Sequence, residues 1–291
     1  MSRNSPVTNV IPLSSEDVVA QRYKILEEIG RGGYAIVYRA TDLQTGQDIA
    51  LKTIHPGAPQ SQEVVERFKR EAILASKLRH PNTVQVYDYG VEDTFYLAME
   101  LLEGHPLTEE LNGHDGIDVD RAIAIGCAIL ASLSEAHTHG IVHRDIKPEN
   151  IFLKRLPSGA QRVKVLDFGI AKLTGAAQRQ QNMPALTMMG RAMGTPTYMS
   201  PEQAQAKPVT ASSDLYAVAV LLYELIDGVP PFQGEDAMEV MLKHVNEPPP
   251  PLTRAGLSNS RINHTLLRAL EKHPDDRFTD ANAFLAALQE C

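Results

Sequence analysis

The sequence has little cysteine and no excess of positive charge. Only two cysteines occur among 291 residues, Cys127 in an apolar run and Cys291 at the end. Two such distant thiols form no disulfide framework, so we expect a reducing compartment and a cytoplasmic location. The formal net charge of −8 at pH 7 argues against a general binder of nucleic acid or anionic membranes.

The sequence also lacks a recognisable secretion signal or membrane span. Its start, MSRNSPVTNVIPLSSEDVV, has no continuous apolar stretch. The longest apolar runs, residues 122–133 and 215–226, are too short to span a bilayer. Because these runs are apolar on all sides, they predict two helices buried inside a large lobe. With 43% hydrophobic and 22% charged residues, the chain is typical of a globular protein and not of a disordered one.

Hydrophobic patterning divides the chain into a strand-rich and a helix-rich part. Residues 1–21 have little periodicity and are predicted to form a flexible tail. Five strand-like segments and one helix at 61–80 predict a small, mostly antiparallel sheet within residues 22–102. Helical patterns dominate residues 103–291, interrupted by short strand-like pieces. We therefore predict an α+β fold of two lobes joined near residues 100–104.

A glycine-rich segment, IGRGGYAIVY, lies between the first two predicted strands. Gly30, Gly32 and Gly33 allow backbone N–H groups to approach a negative ligand. The alternative is a hairpin whose residues are merely flexible. The segment departs from G-x-G-x-x-G, since Ala35 replaces the third glycine, and no Gly-Lys-Ser/Thr follows, which excludes a Walker loop.

A lysine and a glutamate occupy positions where apolar residues are expected. Strand alternation in IALKTI places Lys52 on one face with Ala50. In the predicted helix, Glu71 falls within the apolar stripe that runs from Val64 to Leu78. An unpaired buried charge costs several kcal/mol, so we predict that Lys52 and Glu71 pair. The alternative is a Glu71 that lies on a shallow surface, alone or beside Arg67.

Polar residues crowd the stretch HRDIKPENIF at 143–152, and a second group follows in VLDFG. Asp145, Asn150 and Asp167 offer hard oxygen donors, which suit Mg²⁺ better than zinc. The HTH at 137–139 is better explained as a helix end than as a ligand pair. Neither H-E-x-x-H nor G-x-S-x-G occurs.

The order of these motifs carries more information than any one of them. A glycine loop, IALK, a helix glutamate, HRDIKPEN and DFG follow one another along the chain. From about Tyr23 to Leu288 the sequence resembles a eukaryotic-like (Hanks-type) serine/threonine protein kinase, and GTPTYMSPEQ and HPDDRF resemble bacterial members. The resemblance implies the bilobal kinase fold, with a small antiparallel sheet and one key helix in the N-lobe and a mainly helical C-lobe.

The resemblance implies transfer of the γ-phosphoryl group of Mg-ATP to Ser/Thr hydroxyls of protein substrates. Lys52 would hold the α- and β-phosphates and be fixed by Glu71. Asp145 would orient the substrate hydroxyl and accept its proton, and Lys147 would stabilise the γ-phosphate. The polar residues would thus line a cleft between the lobes.

The resemblance assigns the metal and the nucleotide as well. Asp167 and Asn150 would bind Mg²⁺, with Mn²⁺ as an alternative, and His143 would be a structural hydrogen-bonding residue. The ATP site would comprise the glycine-loop residues Ile29, Gly30, Gly32 and Gly33, the ring-covering Val37 and Ala50, Lys52, the gatekeeper Met99, the hinge residues Glu100 and Leu102, and the floor residue Phe152. For the apolar members, plain core packing is the alternative.

Regulation by phosphorylation is implied by the same resemblance. Arg144 would receive a phosphate from the segment between Asp167 and Glu202. Thr195 resembles the threonine that contacts the catalytic aspartate, so Thr187 is the favoured autophosphorylation site among Thr174, Thr187, Thr195 and Thr197. A homodimer would be one way to bring about this reaction.

Three further residues match structural positions of the family. Glu202 and Arg277 would form a buried ion pair, and Asp214 would brace the catalytic loop. Ser200 and Ala219 depart from the family's usual Ala and Gly, with little expected effect.

Three alternative functions have weaker support from the sequence. A pseudokinase scaffold is disfavoured because Lys52, Asp145 and Asp167 are all present, and a small-molecule phosphotransferase is disfavoured by the P-E dipeptide in SPEQ. A protein acting mainly through interactions has only weak compositional support.

Overall fold

A computed structural model describes residues 13–32, 35–54, 62–91, 94–111, 116–168, 196–254 and 256–291. Contacts divide the described residues into two compact units. The first unit holds the described residues up to Lys77 together with Gln85–Leu102, and the second holds Leu78–Val84 and most of the chain from Glu103 on. The division after Leu102 follows the predicted lobes, except that residues 78–84 belong to the second unit.

The first unit contains a fully antiparallel six-stranded sheet. Its strands are β1 Val18–Val19, β2 Tyr23–Arg31, β3 Ala35–Asp42, β4 Asp48–Ile54, β5 Val86–Val91 and β6 Phe95–Met99, in the order β1-β2-β3-β4-β6-β5. Alternation in β4 aims Ile49 and Leu51 at a core that also contains Tyr23 and Ile25.

The start of the first unit differs from the flexible tail predicted for residues 1–21. Val18 and Val19 pair with the beginning of β2, and Val19 is buried in the sheet core. The backbone N–H of Leu13 also donates to the hydroxyl of Tyr38. A two-residue strand is too short to leave a periodic signal in the sequence, which is why the pattern missed it.

The helix of the first unit, α1, runs over Gln62–Ala75 and ends five residues before the predicted residue 80. Phe68, Ala72 and Ala75 pack with the apolar side chains of β5 and β6. The rings of Phe68 and Phe95 meet edge to face, with centroids 4.9 Å apart. Leu78, predicted to belong to the same helical stripe, lies beyond the helix and in the second unit.

The second unit is mainly helical. Its strands are β7 Gly104–Pro106, β8 Ile151–Arg155 and β9 Gln161–Val165, which form one antiparallel sheet. Its helices are α2 Thr108–Leu111, α3 Val119–Thr138, α4 Pro201–Ala204, α5 Ala211–Asp227, α6 Ala237–Asn246, α7 Arg261–Ala269 and α8 Ala281–Gln289. Short 3₁₀ turns occur at Pro148–Asn150, Pro196–Tyr198 and Pro274–Asp276.

The two helices predicted from long apolar runs are α3 and α5. Helix α5 is buried on nearly all sides, as its composition predicts, and it ends at Gly228 in the left-handed conformation. Helix α3 buries one face only, because residues such as Arg121 and Ala124 are exposed. Within the described ranges, no helix is both long and apolar enough to cross a membrane.

The predicted ion pair between Glu202 of α4 and Arg277 is confirmed. Two guanidinium nitrogens of Arg277 donate to the two carboxylate oxygens of Glu202, each at 2.9 Å, and both side chains are buried. Burial alone would raise the pKa of Glu202, but hydrogen bonds from Arg277 and Ser213 outweigh it and hold this pKa below its usual value. The pair fixes α4 to the segment that follows α7.

Replacing Arg277 with Met should destabilise the protein strongly, because Glu202 would stay buried without its cation. We expect the free energy of unfolding at pH 7, measured by urea denaturation, to fall by about 3–5 kcal/mol. The control is Arg261→Met, since Arg261 and Glu290 pair on the surface and should contribute less than about 1 kcal/mol. Equal losses in the two variants would contradict a stabilising role for the buried pair.

A second buried titratable group, His244 of α6, ties stability to pH. The hydroxyl of Tyr216 bonds its Nδ1 atom at 2.8 Å, and Phe232 packs edge to face against the ring. Burial, with help from the charge of Lys272, lowers the pKa of His244 to about 4. The unfolded chain, with a histidine pKa of about 6.5, binds the proton more readily. This contribution to stability is therefore complete above about pH 6.5 and is lost as the pH falls towards 4.

Replacing His244 with Gln should weaken the pH dependence of stability, because Gln does not titrate. Between pH 7 and pH 5 the wild type should lose about 2 kcal/mol more unfolding free energy than the variant, measured by urea denaturation at both pH values. The exposed His264 of α7 provides the control, and His264→Gln should keep the wild-type dependence. An unchanged pH dependence in His244→Gln would contradict the lowered pKa.

Candidate active site

Residues 143–145, the HRD segment, are held in place by the buried carboxylate of Asp214, which lies in the first turn of α5. One oxygen of Asp214 accepts the backbone N–H of His143 and the other accepts that of Arg144, both at 2.8 Å. Arg144 has a φ of 67°, a left-handed conformation that a residue with a side chain adopts only when its surroundings impose it. The bracing role predicted for Asp214 is confirmed by these contacts.

His143 links the HRD segment through backbone groups to Leu166, the residue before Asp167. Its Nε2 atom lies 2.6 Å from the carbonyl oxygen of Leu166, and the backbone N–H of Asp145 donates to its Nδ1 atom at 3.3 Å. These contacts fit a neutral ring with its proton on Nε2. The ring is fully buried, and burial lowers its pKa, which also favours the neutral form. His143 is therefore a structural hydrogen-bonding residue, as predicted.

Asp145, the predicted proton acceptor, has its carboxylate oriented by two neighbours. The side-chain amide of Asn150 donates to the backbone carbonyl of Asp145 at 2.7 Å and to its Oδ2 atom at 3.0 Å. The Nζ atom of Lys147 lies 3.2 Å from the same Oδ2 atom. Both charged side chains are about one-third exposed, at 37% for Asp145 and 34% for Lys147. The structure thus brings three predicted site residues into one hydrogen-bonded group with access to solvent.

Strand pairing brings Asn150 towards Asp167. Ile151 of β8 pairs with Val165 of β9, and one step further the backbone N–H of Leu166 donates to the carbonyl of Asn150 at 2.8 Å. Asp167 follows with a φ of 53°, another left-handed conformation. The two predicted metal ligands thus lie at the adjoining ends of two paired strands.

The donor set fits a magnesium ion bound mainly through its substrate. Across the described ranges, no group of three or more His, Cys, Asp or Glu residues could hold a metal by itself. Mg²⁺ keeps several water ligands and is usually held by one or two carboxylates together with phosphate oxygens. One carboxylate and one amide oxygen, from Asp167 and Asn150, are therefore a suitable protein contribution.

Lys52 and Glu71 both lie in the first unit. Lys52 is 7% exposed in β4, next to Ala50, and its strand neighbours are Val37 of β3 and Leu97 of β6. Glu71 lies in α1 on the side of the buried Phe68 and Ala75, and its Oε2 atom is buried. Both residues therefore occupy apolar surroundings, as the pattern indicated. Their pairing with each other stays a prediction.

The described glycines of the glycine-rich segment are not required by the packing of the chain. Gly30 pairs with Val37, and a Cβ atom added to Gly30 would meet only the Val37 Cβ atom, at 3.8 Å. A Cβ atom on Gly32 would meet only the Ala35 carbonyl oxygen, at 3.7 Å, and neither glycine has a positive φ. Because Gly30 and Gly32 have no side chain, a ligand has room to approach the backbone there. Gly33 lies outside the described residues.

The predicted ATP-site residues other than the glycines and Lys52 are distributed over both units. In the first unit, Ala50 of β4 pairs with Met99 of β6, and the large apolar side chain of Ile29 is 46% exposed. Glu100 follows Met99 and exchanges hydrogen bonds with Gln85, both at 2.9 Å. The remaining members are the half-buried Val37 and Leu102 of the first unit and Phe152 of β8 in the second unit. Their contact with a nucleotide stays a prediction.

Two contacts near the HRD segment were not predicted. Ser200 begins α4 with a capping box, in which its hydroxyl accepts the backbone N–H of Gln203 and its own N–H donates to the Gln203 side chain. Gln203 also donates to the carbonyl of Arg144 at 3.0 Å. The spacing in SPEQ fits this capping signature, so the sequence did contain the signal. Ser200 therefore has a structural role, although the sequence predicted little effect from this departure.

Two more residues were missed for lack of any local signal. His137, at the end of α3, has its Nε2 atom 2.9 Å from an Asp214 oxygen, and Tyr198 hydrogen-bonds Glu224 of α5. Burial raises the pKa of Glu224. The helix-end interpretation of HTH is confirmed, since His139 caps α3.

The predicted phosphorylation sites lie mostly outside the described residues. Thr174, Thr187 and Thr195 lie outside the described residues, whereas Thr197 lies in the 3₁₀ turn Pro196–Tyr198.

Comparison with known proteins identifies relatives of this chain. A family model described as the protein kinase domain matches residues 23–288. The chain is 42% identical over 277 residues to the serine/threonine-protein kinase Pkn3 of Myxococcus xanthus, covering 93% of this chain and 50% of Pkn3. It is 36% identical over 273 residues to the serine/threonine-protein kinase PrkC of Bacillus subtilis, covering 93% of this chain and 40% of PrkC. The chain thus spans half or less of the length of these curated relatives.

The fold has solved counterparts. The crystal structure of the Mycobacterium tuberculosis PknI kinase domain matches with a TM-score of 0.74 and 27% identity, covering 96% of this chain and 99% of PknI. The predicted α+β kinase fold, with an antiparallel sheet and a mainly helical part, is thereby confirmed. Because the family model spans nearly the whole sequence and these relatives share more than a third of its residues, the chain belongs to the protein kinase domain family.

Proposed function

We propose that this chain is a serine/threonine protein kinase domain that transfers the γ-phosphoryl group of Mg-ATP to Ser and Thr hydroxyls of protein substrates. The observation that carries the proposal is the group formed by Asp145, Lys147 and Asn150. Its geometry suits a reaction that needs a positioned proton acceptor and a cation close to it. The curated relatives are named as kinases of this specificity, which supports the same assignment here.

Within the proposed mechanism, Asp145 orients the substrate hydroxyl and accepts its proton. Its Oδ2 atom is fixed by Asn150 and Lys147, so the carboxylate need not reorganise during the reaction. Lys147 also places a positive charge where the transferred γ-phosphate develops negative charge. His143 is fully buried and both of its ring nitrogens contact backbone groups, so it offers no accessible proton acceptor, and this role falls to the partly exposed Asp145.

Asp167 and Asn150 are the proposed metal ligands in the second unit. When bound, Mg²⁺ neutralises charge on the ATP phosphates. The chain's part is to hold two oxygen donors at the adjoining ends of β8 and β9. The family uses ATP and a divalent metal; the choice of Mg²⁺, with Mn²⁺ as the alternative, belongs to this proposal.

ATP is proposed to be held by the residues that the family resemblance assigns. Lys52, fixed by Glu71, binds the α- and β-phosphates, and the backbone of the glycine-rich segment covers them. The room left beside Gly30 and Gly32 supports this role. The adenine-binding residues are Val37, Ala50, Met99, Glu100, Leu102 and Phe152, and Ile29 of the glycine-rich segment is a further ATP-site residue.

Replacing Asp145 with Asn should abolish most phosphoryl transfer, because an amide accepts no proton from the hydroxyl. We expect the transfer of labelled phosphate from Mg-ATP to generic Ser/Thr protein substrates to fall by about 10²–10⁴-fold. The melting temperature should stay close to the wild-type value, since an amide is nearly isosteric with the carboxylate. Asp120→Asn, on the exposed first turn of α3, is the matched control and should keep full activity. Equal transfer by wild type and Asp145→Asn would refute the assignment.

We also propose that the domain phosphorylates itself on Thr187 and that Arg144 receives this phosphate. After incubation with Mg-ATP, phosphosite mapping by mass spectrometry should find Thr187 modified in the wild type and unmodified in Asp145→Asn. Thr187→Ala should lose most of the incorporated phosphate, whereas Thr174→Ala should keep it. If a homodimer carries out the reaction, the rate per molecule should rise with protein concentration. An unmodified Thr187 in the active wild type would contradict the proposal.

A further inference from the structure

Helices α3 and α8 of the second unit pack side by side in opposite directions. Near one end of the contact, the hydroxyl of Ser134 in α3 donates to the Asn282 side chain of α8 at 2.8 Å. Near the other end, a Cβ atom added to Gly126 would lie 2.9 Å from a methyl group of Leu288. Since residue numbers fall along α3 while they rise along α8, the two helices are antiparallel.

Cys127 lies on the face of α3 that meets α8. It precedes Ser134 by seven residues, which is two helical turns, so both side chains leave the helix on the same side. Two turns correspond to about 10 Å along the helix axis. Cys127 is also the residue after Gly126, at the close approach to Leu288, and its side chain is half-buried.

Cys291 lies beyond α8, but its thiol folds back over the last turn of that helix. The Sγ atom donates to the carbonyl of Ala287 at 3.2 Å and lies 3.5 Å from the Thr265 hydroxyl of α7. Ala287 is five residues, or about 7–8 Å, further along α8 than Asn282. The Cys291 thiol therefore sits at nearly the same level of the helix pair as Cys127.

The electrostatics of Cys127 agree with this placement. Burial raises the pKa of the Cys127 thiol, and the charge of an ionised Cys291 raises it further. Both cysteines are free thiols. They are also the two cysteines of this sequence.

We propose that Cys127 and Cys291 form an oxidant-responsive dithiol that closes to a disulfide between α3 and the residue following α8. The oxidant class is a hydroperoxide. The exposed Cys291 thiolate attacks one peroxide oxygen, the O–O bond breaks, and a sulfenic acid and one water form after proton transfer. The Cys127 sulfur then attacks the sulfenic sulfur, the S–O bond breaks, and a second water leaves. Two thiols lose two electrons, and hydrogen peroxide is reduced to two waters.

The bond requires the Cβ atoms of Cys127 and Cys291 to approach each other. A disulfide needs Cβ atoms about 3.5–4.5 Å apart. Cys291 lies two residues past the last helical residue of α8, so this approach requires no residue of α8 to leave the helix. Neither thiol contacts the group around Asp145, so the proposal is independent of the kinase function.

The test oxidises the full chain with a small excess of hydrogen peroxide and maps a non-reduced digest by mass spectrometry. We expect one cross-linked species that joins the Cys127 and Cys291 peptides, loss of both free thiols, and full reversal by dithiothreitol. Oxidation should also raise the melting temperature, by roughly 5 °C or more, because the bond closes a long loop. Asp145→Asn treated with hydrogen peroxide should form the same bond, which separates this result from any failure of the kinase proposal.

Single substitutions distinguish the two thiols. In Cys127→Ser, Cys291 should stop at the sulfenic acid and be labelled by dimedone. In Cys291→Ser, the half-buried Cys127 should remain a free thiol, and in neither variant should peroxide raise the melting temperature. Recovery of both free thiols from oxidised wild type, or of only a Cys291–Cys291 bond between two molecules, would overturn the proposal. The wild-type digest decides this even if a variant folds poorly.

Discussion

The geometry of the HRD segment depends on one buried carboxylate, that of Asp214. Its two oxygens accept hydrogen bonds from the backbone N–H groups of consecutive residues, His143 and Arg144, and these bonds support the left-handed conformation of Arg144. The carboxylate lies in the first turn of α5, where unpaired N–H groups and the helix dipole favour negative charge. Because α5 is buried along nearly its whole length, its position is set by the core of the second unit. Two hydrogen bonds therefore fix the HRD segment to a helix whose position is set by hydrophobic packing.

This arrangement explains how so many polar residues fit between two apolar stretches. Along the segment, His143, Ile146 and Pro148 are buried, while the residues between them are half-buried or exposed. The buried members act as anchors, and His143 satisfies both ring nitrogens with backbone groups. The side chains of Asp145 and Lys147 are left partly exposed and close to each other. The segment therefore satisfies the rule that buried polar groups must be hydrogen-bonded, while it keeps its charged groups accessible.

The sequence predicted the elements that have a clear period and missed those that do not. Alternation identified the five longer strands of the first sheet and the burial of Lys52 in β4, whereas the two-residue strand β1 and the three-residue β7 are too short for a period to show. Helix α1 ends before Leu78 although the apolar spacing continues, because a period does not encode where packing stops. The contact of His137 with Asp214 joins residues 77 positions apart, which no local pattern reports. The capping box at Ser200 was not predicted, although the S-x-x-Q spacing of SPEQ indicates it.

The glycines show how a structure can separate the needs of the fold from those of a ligand. Gly104 has a φ of 146°, and a Cβ atom there would lie 2.0 Å from the carbonyl oxygen of Leu153, so the chain itself requires glycine at this position. Gly30 and Gly32 have neither a positive φ nor a neighbour that a Cβ atom would clash with. Glycine costs conformational entropy relative to alanine, so its use where the fold does not require it needs another cause. Close approach of phosphate groups to the backbone is such a cause, and it agrees with the nucleotide site that we propose for this kinase domain.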